Sequence, residues 1–236
     1  GIKEPKDLAG KRIGTPLYTQ TAAIWIRGDL ENIYDVDLSD VQWIQGAVEK
    51  AGTHGDPPAP PQLLKPVDIR PNTSDKSLSQ MLAEGDIDAI MGSRMPDSVR
   101  TDRDRVAHLF PNFREEEKRY YQEHLIHPIM HTVVIRKEVY EANKWIAQSL
   151  YKAFLASKDW AVEQMYFSGA QKYMLPWLFD DLREIDEVFG GDPWPYGIDE
   201  NRPTLYAFVK YMHQQNFISE EIPVDDLFAP IHGRTD

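Results

Sequence analysis

Cysteine is absent from the 236 residues, which excludes disulfides, thiolate metal sites and a cysteine nucleophile and fits a reducing compartment. Long apolar runs are absent too. None approaches the length needed to span a bilayer, and residues 1–8 lack the basic-then-apolar layout of a signal peptide, so no membrane insertion is expected. Basic residues are scarce: 26 Lys and Arg against 38 Asp and Glu give a net charge of −12. Such a surface repels phosphates, and nucleic acid is set aside as a partner. What the chain does have is 42% hydrophobic residues, enough for one large or two small cores.

Lys11 to Thr15 reads as a short strand, followed by the turn Pro16-Leu17-Tyr18 and a helix that Thr19 or Thr21 can cap. Apolar residues keep helical spacing from Thr21 to Tyr34, and Val41 to Ile44 reads as a second strand. The β-α-β order predicts a parallel sheet. Gly46 to Pro66 holds the run Pro57-Pro58-Ala59-Pro60-Pro61 and is expected to be an exposed loop. A strand at Val67 to Arg70, a helix at Ser77 to Ala83 and a buried strand at Asp88 to Gly92 complete a first lobe, placed at 1–98 with a boundary near Met95 to Asp104. In the remainder, 99–236, Met130 to Ile135 is the strongest strand signal. Helices are expected over Glu138 to Tyr166 with Trp145, Leu150, Phe154 and Trp160 inward, and at Leu175 to Phe189 and Pro203 to Gln215. One strand cannot make a sheet, so the second lobe is expected to be incomplete, with an N-terminal segment absent.

DLAGKRIGTP (7–16), with EGDIDAIMGSR (84–94) after it, resembles the second lobe of solute-binding proteins of the nitrate, sulfonate and thiamine-precursor group. TPLYTQTAAIWIRG (15–28), HPIMHTVVIRKEVYEANKWIAQSLYKAF (127–154), DPWPYGIDENRPTL (192–205) and LFAP (227–230) together resemble the 4,5-dihydroxyphthalate decarboxylase family. The resemblance implies a two-lobed α/β fold of the periplasmic-binding-protein type II, with 1–98 as lobe II and 99–236 as the rest of lobe I. It also implies an enzyme that removes one carboxylate from a dihydroxylated aromatic diacid without a cofactor. A cytoplasmic location goes with that activity.

Several residues have chemistry suited to such a ligand. Tyr18, Thr19 and Thr21 lie where a strand feeds a helix, so they serve either as ordinary caps or as a seat for a carboxylate. Arg27 lies about two turns into that helix, where it is either a substrate contact or a solvated or structural arginine. Ser93 and Arg94 follow a buried strand, where arginine forms a bidentate carboxylate clamp or a structural salt bridge. His127 and His131, on an extended chain, point to the same face. Pro128 argues against a helix and no third ligand stands out, so acid/base or hydrogen-bonding roles are favoured over a metal; a structural histidine is the other reading. Trp194 and Tyr196, in a loop stiffened by Pro193 and Pro195, form an aromatic wall or plug a core.

Under the resemblance His131 and His127 transfer protons, Arg94 and the Tyr18 to Thr21 turn hold the carboxylate, and Trp194 with Tyr196 faces the ring. The partner is a small aromatic carboxylate, and homo-oligomer formation is left open. The alternative is a non-catalytic solute-binding protein of an uptake system, periplasmic in that case; a ligand sensor is a third reading.

Overall fold

Ile13 is almost fully buried, and the strand around it has both faces covered, as the middle of a parallel sheet requires. The structure, a computed structural model, describes residues 1–55, 61–170 and 172–232. After a 3-10 turn at Pro5–Leu8 come β1 (Arg12–Thr15), α1 (Thr21–Asn32), β2 (Gln42–Gln45), β3 (Ile69–Pro71), α2 (Leu78–Glu84) and β4 (Ala89–Ile90). The helices α3 (Ser98–Thr101), α4 (Phe113–His124), α5 (Lys137–Ala142), α6 (Trp145–Tyr166), α7 (Leu178–Phe189), α8 (Arg202–Gln214) and α9 (Val224–Leu227) follow. None of the described helices is long and apolar enough to cross a membrane.

The chain divides into two compact units: Gly1–Glu116 with Phe208–Glu221, and Glu117–Ala207 with Ile222–Asp236. The first holds a four-stranded sheet in the order β3-β2-β1-β4. Every pairing is parallel, with Ile13 opposite Trp43 on one side and Ala89 on the other. The expected α/β class and parallel sheet are therefore present. Leu8, Ile13, Ala23, Leu30, Val41 and Trp43 belong to its core, and each large side chain removed from water there contributes roughly 2 kcal/mol.

Local chemistry sets the element ends. Ser77 and Gln80 form a reciprocal capping box at the start of α2, and Gly85 closes that helix in the left-handed region at φ 82°. Just beyond, Asp88 takes both Nε and Nη2 of Arg12 at 2.9 Å, and also the Arg12 backbone N–H at 3.0 Å. This bidentate pair ties the starts of β4 and β1 together.

The second unit is helical: none of its described residues forms a strand. Tyr121 and Phe189 pack with ring centroids 4.3 Å apart, and Ile126, Ala147, Leu182, Thr204 and Val224 are buried. The expectation of a strand at 130–135 is corrected here. Val133 and Val134 are 62% and 86% exposed and unpaired. Their β-preference reflects packing on a half-buried pleated surface, and among the described residues no strand pairs with them to supply one. The inward face of α6 is corrected as well. Ala147 is its buried residue, whereas Trp145, Phe154 and Trp160 are exposed; apolar residues occur on more than one face of this helix, so spacing alone does not choose among them.

Pro57 to Pro60 lie outside the described residues. In the acidic cluster Glu115 and Glu117 are exposed as expected, whereas Glu116 is half-buried and accepts a hydrogen bond from Tyr34 Oη at 2.8 Å.

Candidate functional site

In an open parallel sheet the carboxyl ends of the strands share one edge, and ligands enter where the strand order reverses. Here the reversal falls between β1 and β4, because the chain runs outward from β1 through β2 to β3 and returns on the opposite side of β1. The segments leaving those strands, 16–20 and 91–94, carry Tyr18, Thr19, Ser93 and Arg94. They touch: Gln20 Nε2 donates to Ser93 Oγ at 3.1 Å. Gly92 permits the approach, since a Cβ there would stand 2.9 Å from Pro16 Cδ.

Gln20, rather than Thr19 or Thr21, occupies the cap position of α1, and its side chain makes no cap hydrogen bond. The first bond into the helix is Ile24 N–H to Gln20 O at 3.0 Å. The N–H groups of Thr21, Ala22 and Ala23 thus have no acceptor within the helix, the arrangement that favours an anion at a helix start. Among the described residues, Thr15 Oγ1, Thr19 Oγ1, Gln20 Oε1 and Arg27 Nη2 are buried polar atoms without a hydrogen-bond partner. Such atoms are uncommon in folded proteins, and two of these, on Thr19 and Gln20, lie in the one turn between β1 and α1.

Tyr18 faces the core: it is 6% exposed, meets Trp43 edge to face at 5.3 Å, and its backbone N–H donates to Gln45 Oε1 at 2.8 Å. Burial raises its phenol pKa, opposed by the nearby Arg27 charge. Arg27 is 2% exposed and donates from Nη1 to Tyr18 O and from Nε to Gln215 Oε1, both at 2.9 Å. Burial pushes its guanidinium down to about 10, still cationic at neutral pH. Ser93 and Arg94 are exposed. Among the described residues Arg94 has no ion-pair partner.

His127, His131, Trp194 and Tyr196 belong to the second unit. The His127 ring is half-buried, 4.9 Å from the Trp194 ring and 5.5 Å from Phe189, and its backbone N–H donates to Thr204 Oγ1 at 3.1 Å. Burial lowers its pKa. His131 is exposed. Trp194 is largely exposed, and Tyr196 accepts a hydrogen bond at its carbonyl from Tyr151 Oη at 3.1 Å. Thus His127 meets Trp194 in one unit, and the Tyr18 turn meets Ser93 in the other.

Sequence reasoning missed two residues. Gln215 is buried against Arg27 and has no local motif; only the fold brings it there. Lys158, on α6, bonds the Asp192 carboxylate and donates to Trp194 O at 2.7 Å, with Nζ 4.8 Å from the Tyr196 ring centroid. It fastens the aromatic loop. Its neighbours Ser157 and Asp159 are polar too, so no local signal in the sequence marked it. No group of three or more His, Cys, Asp or Glu among the described residues is arranged to hold a metal ion.

No family model matches the chain. Individual relatives do. A protein of Comamonas testosteroni named 4,5-dihydroxyphthalate decarboxylase is 34% identical over 236 residues, covering 98% of this chain and 69% of that protein. A Pseudomonas putida protein of the same name is 37% identical over 115 residues, covering 47% of this chain and 42% of that protein. With sequence likeness running through almost its whole length, the chain belongs to the 4,5-dihydroxyphthalate decarboxylase family.

Proposed function

We propose that this protein removes one carboxylate from 4,5-dihydroxyphthalate to leave protocatechuate. The observation that carries the reading is the 34% identity, over 98% of the chain, to a protein that bears that activity in its name. Both relatives are named as decarboxylases, which favours catalysis over the solute-binding alternative. The type II periplasmic-binding-protein fold is part of the same proposal, supported by the strand order β3-β2-β1-β4 with all strands parallel.

The chemistry runs without a redox step. Deprotonating the hydroxyl para to the departing carboxylate places electron density on the ring carbon that bears it. That carbon accepts a proton; its bond to the carboxylate then breaks, CO2 leaves, and the electron pair restores the aromatic ring. The reaction needs a group to move the proton and donors to hold the retained carboxylate. In this reading His127 or His131 handles the proton, and the Tyr18–Thr21 turn, Ser93 and Arg94 hold the carboxylate. Trp194 and Tyr196 take the ring. The depressed pKa of His127 supports its role as a neutral base.

The test is incubation of full-length protein with 4,5-dihydroxyphthalate while CO2 and protocatechuate are measured. Equimolar appearance of both supports the proposal. Saturable binding with no product overturns it in favour of a binding protein.

A further inference from the structure

Arg27 presents an unusual balance of charge. Its guanidinium is buried, yet among the described residues no carboxylate comes within ion-pair distance; Glu31, one turn further along α1, acts on it only from farther away. The groups that do surround it are neutral: Tyr18 O, Gln215 Oε1, the Tyr18 ring with its centroid 3.7 Å from Cζ, and the Trp43 ring at 5.8 Å. A cation removed from water is costly unless paired, and stacking on aromatic faces offsets only part of that cost. One N–H group, Nη2, still lacks a partner.

The mounting is rigid. Gln215 accepts from Arg27 at Oε1 and donates from Nε2 to Ile24 O at 2.9 Å, so both ends of its amide are used and its orientation is set. The guanidinium then grips the carbonyl of Tyr18, the residue from which the chain turns into α1. The same turn holds the unpartnered Thr19 Oγ1 and Gln20 Oε1 and leads to the free first-turn N–H groups.

We propose that Arg27 is a positioning residue for carboxylate recognition: it does not touch the ligand, but fixes the Tyr18–Thr21 turn from below and lends it a buried, unscreened positive charge. A carboxylate at the turn would be the missing anion. The inference replaces direct substrate contact by Arg27 with an indirect role, and it rests on the proposed function only in placing the retained carboxylate at this turn.

The experiment compares full-length wild type, Arg27→Met and Arg27→Lys. Calorimetry measures binding of protocatechuate, which keeps the carboxylate, and of catechol, which lacks it. KM and kcat for 4,5-dihydroxyphthalate and urea unfolding are measured in parallel. Arg27→Met should weaken protocatechuate roughly tenfold or more, the scale of a charge-assisted contact, and leave catechol within about twofold. The loss should appear in KM, with kcat changed only a few-fold, roughly the pattern of uniform binding. Arg27→Lys, which keeps the charge and loses the fork, should recover part of the affinity.

Equal weakening of both ligands, or no weakening in a folded Arg27→Met protein, overturns the proposal. If Arg27→Met does not fold, the Lys variant decides: a selective loss for protocatechuate supports it and an equal loss refutes it. Failure of the proposed function is read separately, as absence of CO2 from the wild type, because both binding ligands are inert to decarboxylation of a phthalate.

Discussion

Gly28 and Tyr211 stand so close that a Cβ on Gly28 would lie 2.1 Å from the tyrosine ring. Glycine is therefore what allows α1 to receive the end of α8, with Tyr211 almost fully buried and its Oη donating to Asp29 Oδ1 at 3.1 Å. The same approach brings Gln215, just past α8, onto Arg27. Gly28→Ala should destabilise the protein by about 1–3 kcal/mol, the scale of forced overpacking, although alanine is the better helix former. Urea unfolding checks this; a stability equal to or above that of wild type would mean the ring moves aside freely.

Arg94 is exposed beside Ser93, so its removal should cost little stability. Replacing it by Ala should weaken 4,5-dihydroxyphthalate roughly tenfold while leaving catechol almost unchanged, since its proposed partner is a carboxylate. Parallel titrations of the two ligands check the difference, and equal losses would remove Arg94 from the carboxylate site.

Burial lowers the pKa of His127, so the ring stays neutral to a lower pH than a free imidazole. The sign follows: the stability that goes with the neutral ring is complete above the ordinary value near 6.5 and is lost as pH falls through and below it. NMR titration of the full-length protein should find a midpoint below the ordinary imidazole range. His127→Gln should slow turnover by about a hundredfold or more while keeping ligand affinity, if this ring moves the proton. His131→Gln is the paired control: a loss confined to His131 would transfer the role to it.

The bidentate bond with Arg12 holds the Asp88 carboxyl below its usual pKa. A depressed carboxylate contributes stability above its unfolded pKa of 3.8, and that contribution is lost as pH falls through the folded value. Asp88→Asn should cost on the order of 1 kcal/mol at neutral pH, because the pair is partly exposed. It should also shift acid unfolding less than neutral unfolding. A variant that loses as much stability at pH 3 as at pH 7 would show that the ion pair is not the cause.

The sequence by itself determined the elements of the sheet unit. Lys11–Thr15 is a run that ends at a proline, and β1 occupies Arg12–Thr15 within it; the helix after it, β2 and the parallel order follow from apolar spacing and turn residues alone. Those signals are local, carried by neighbours a few residues apart, and so a linear reading recovers them. The turn at Tyr18 to Thr21 and the pair Ser93 and Arg94 were legible for the same reason, since each sits where a strand ends.

Tertiary structure alone decided the rest. Whether Met130 to Ile135 pair as a strand depends on a partner strand, and among the described residues none pairs with them. Which side of α6 is covered depends on what packs there, and Trp145 and Trp160 are left exposed despite their apolar character. Arg27 meets Gln215 where the end of α8 packs on α1, at the close approach of Tyr211 to Gly28. A contact between residues so far apart in the chain leaves no periodicity to read, because its energy depends on shape and burial that exist only once the chain has folded.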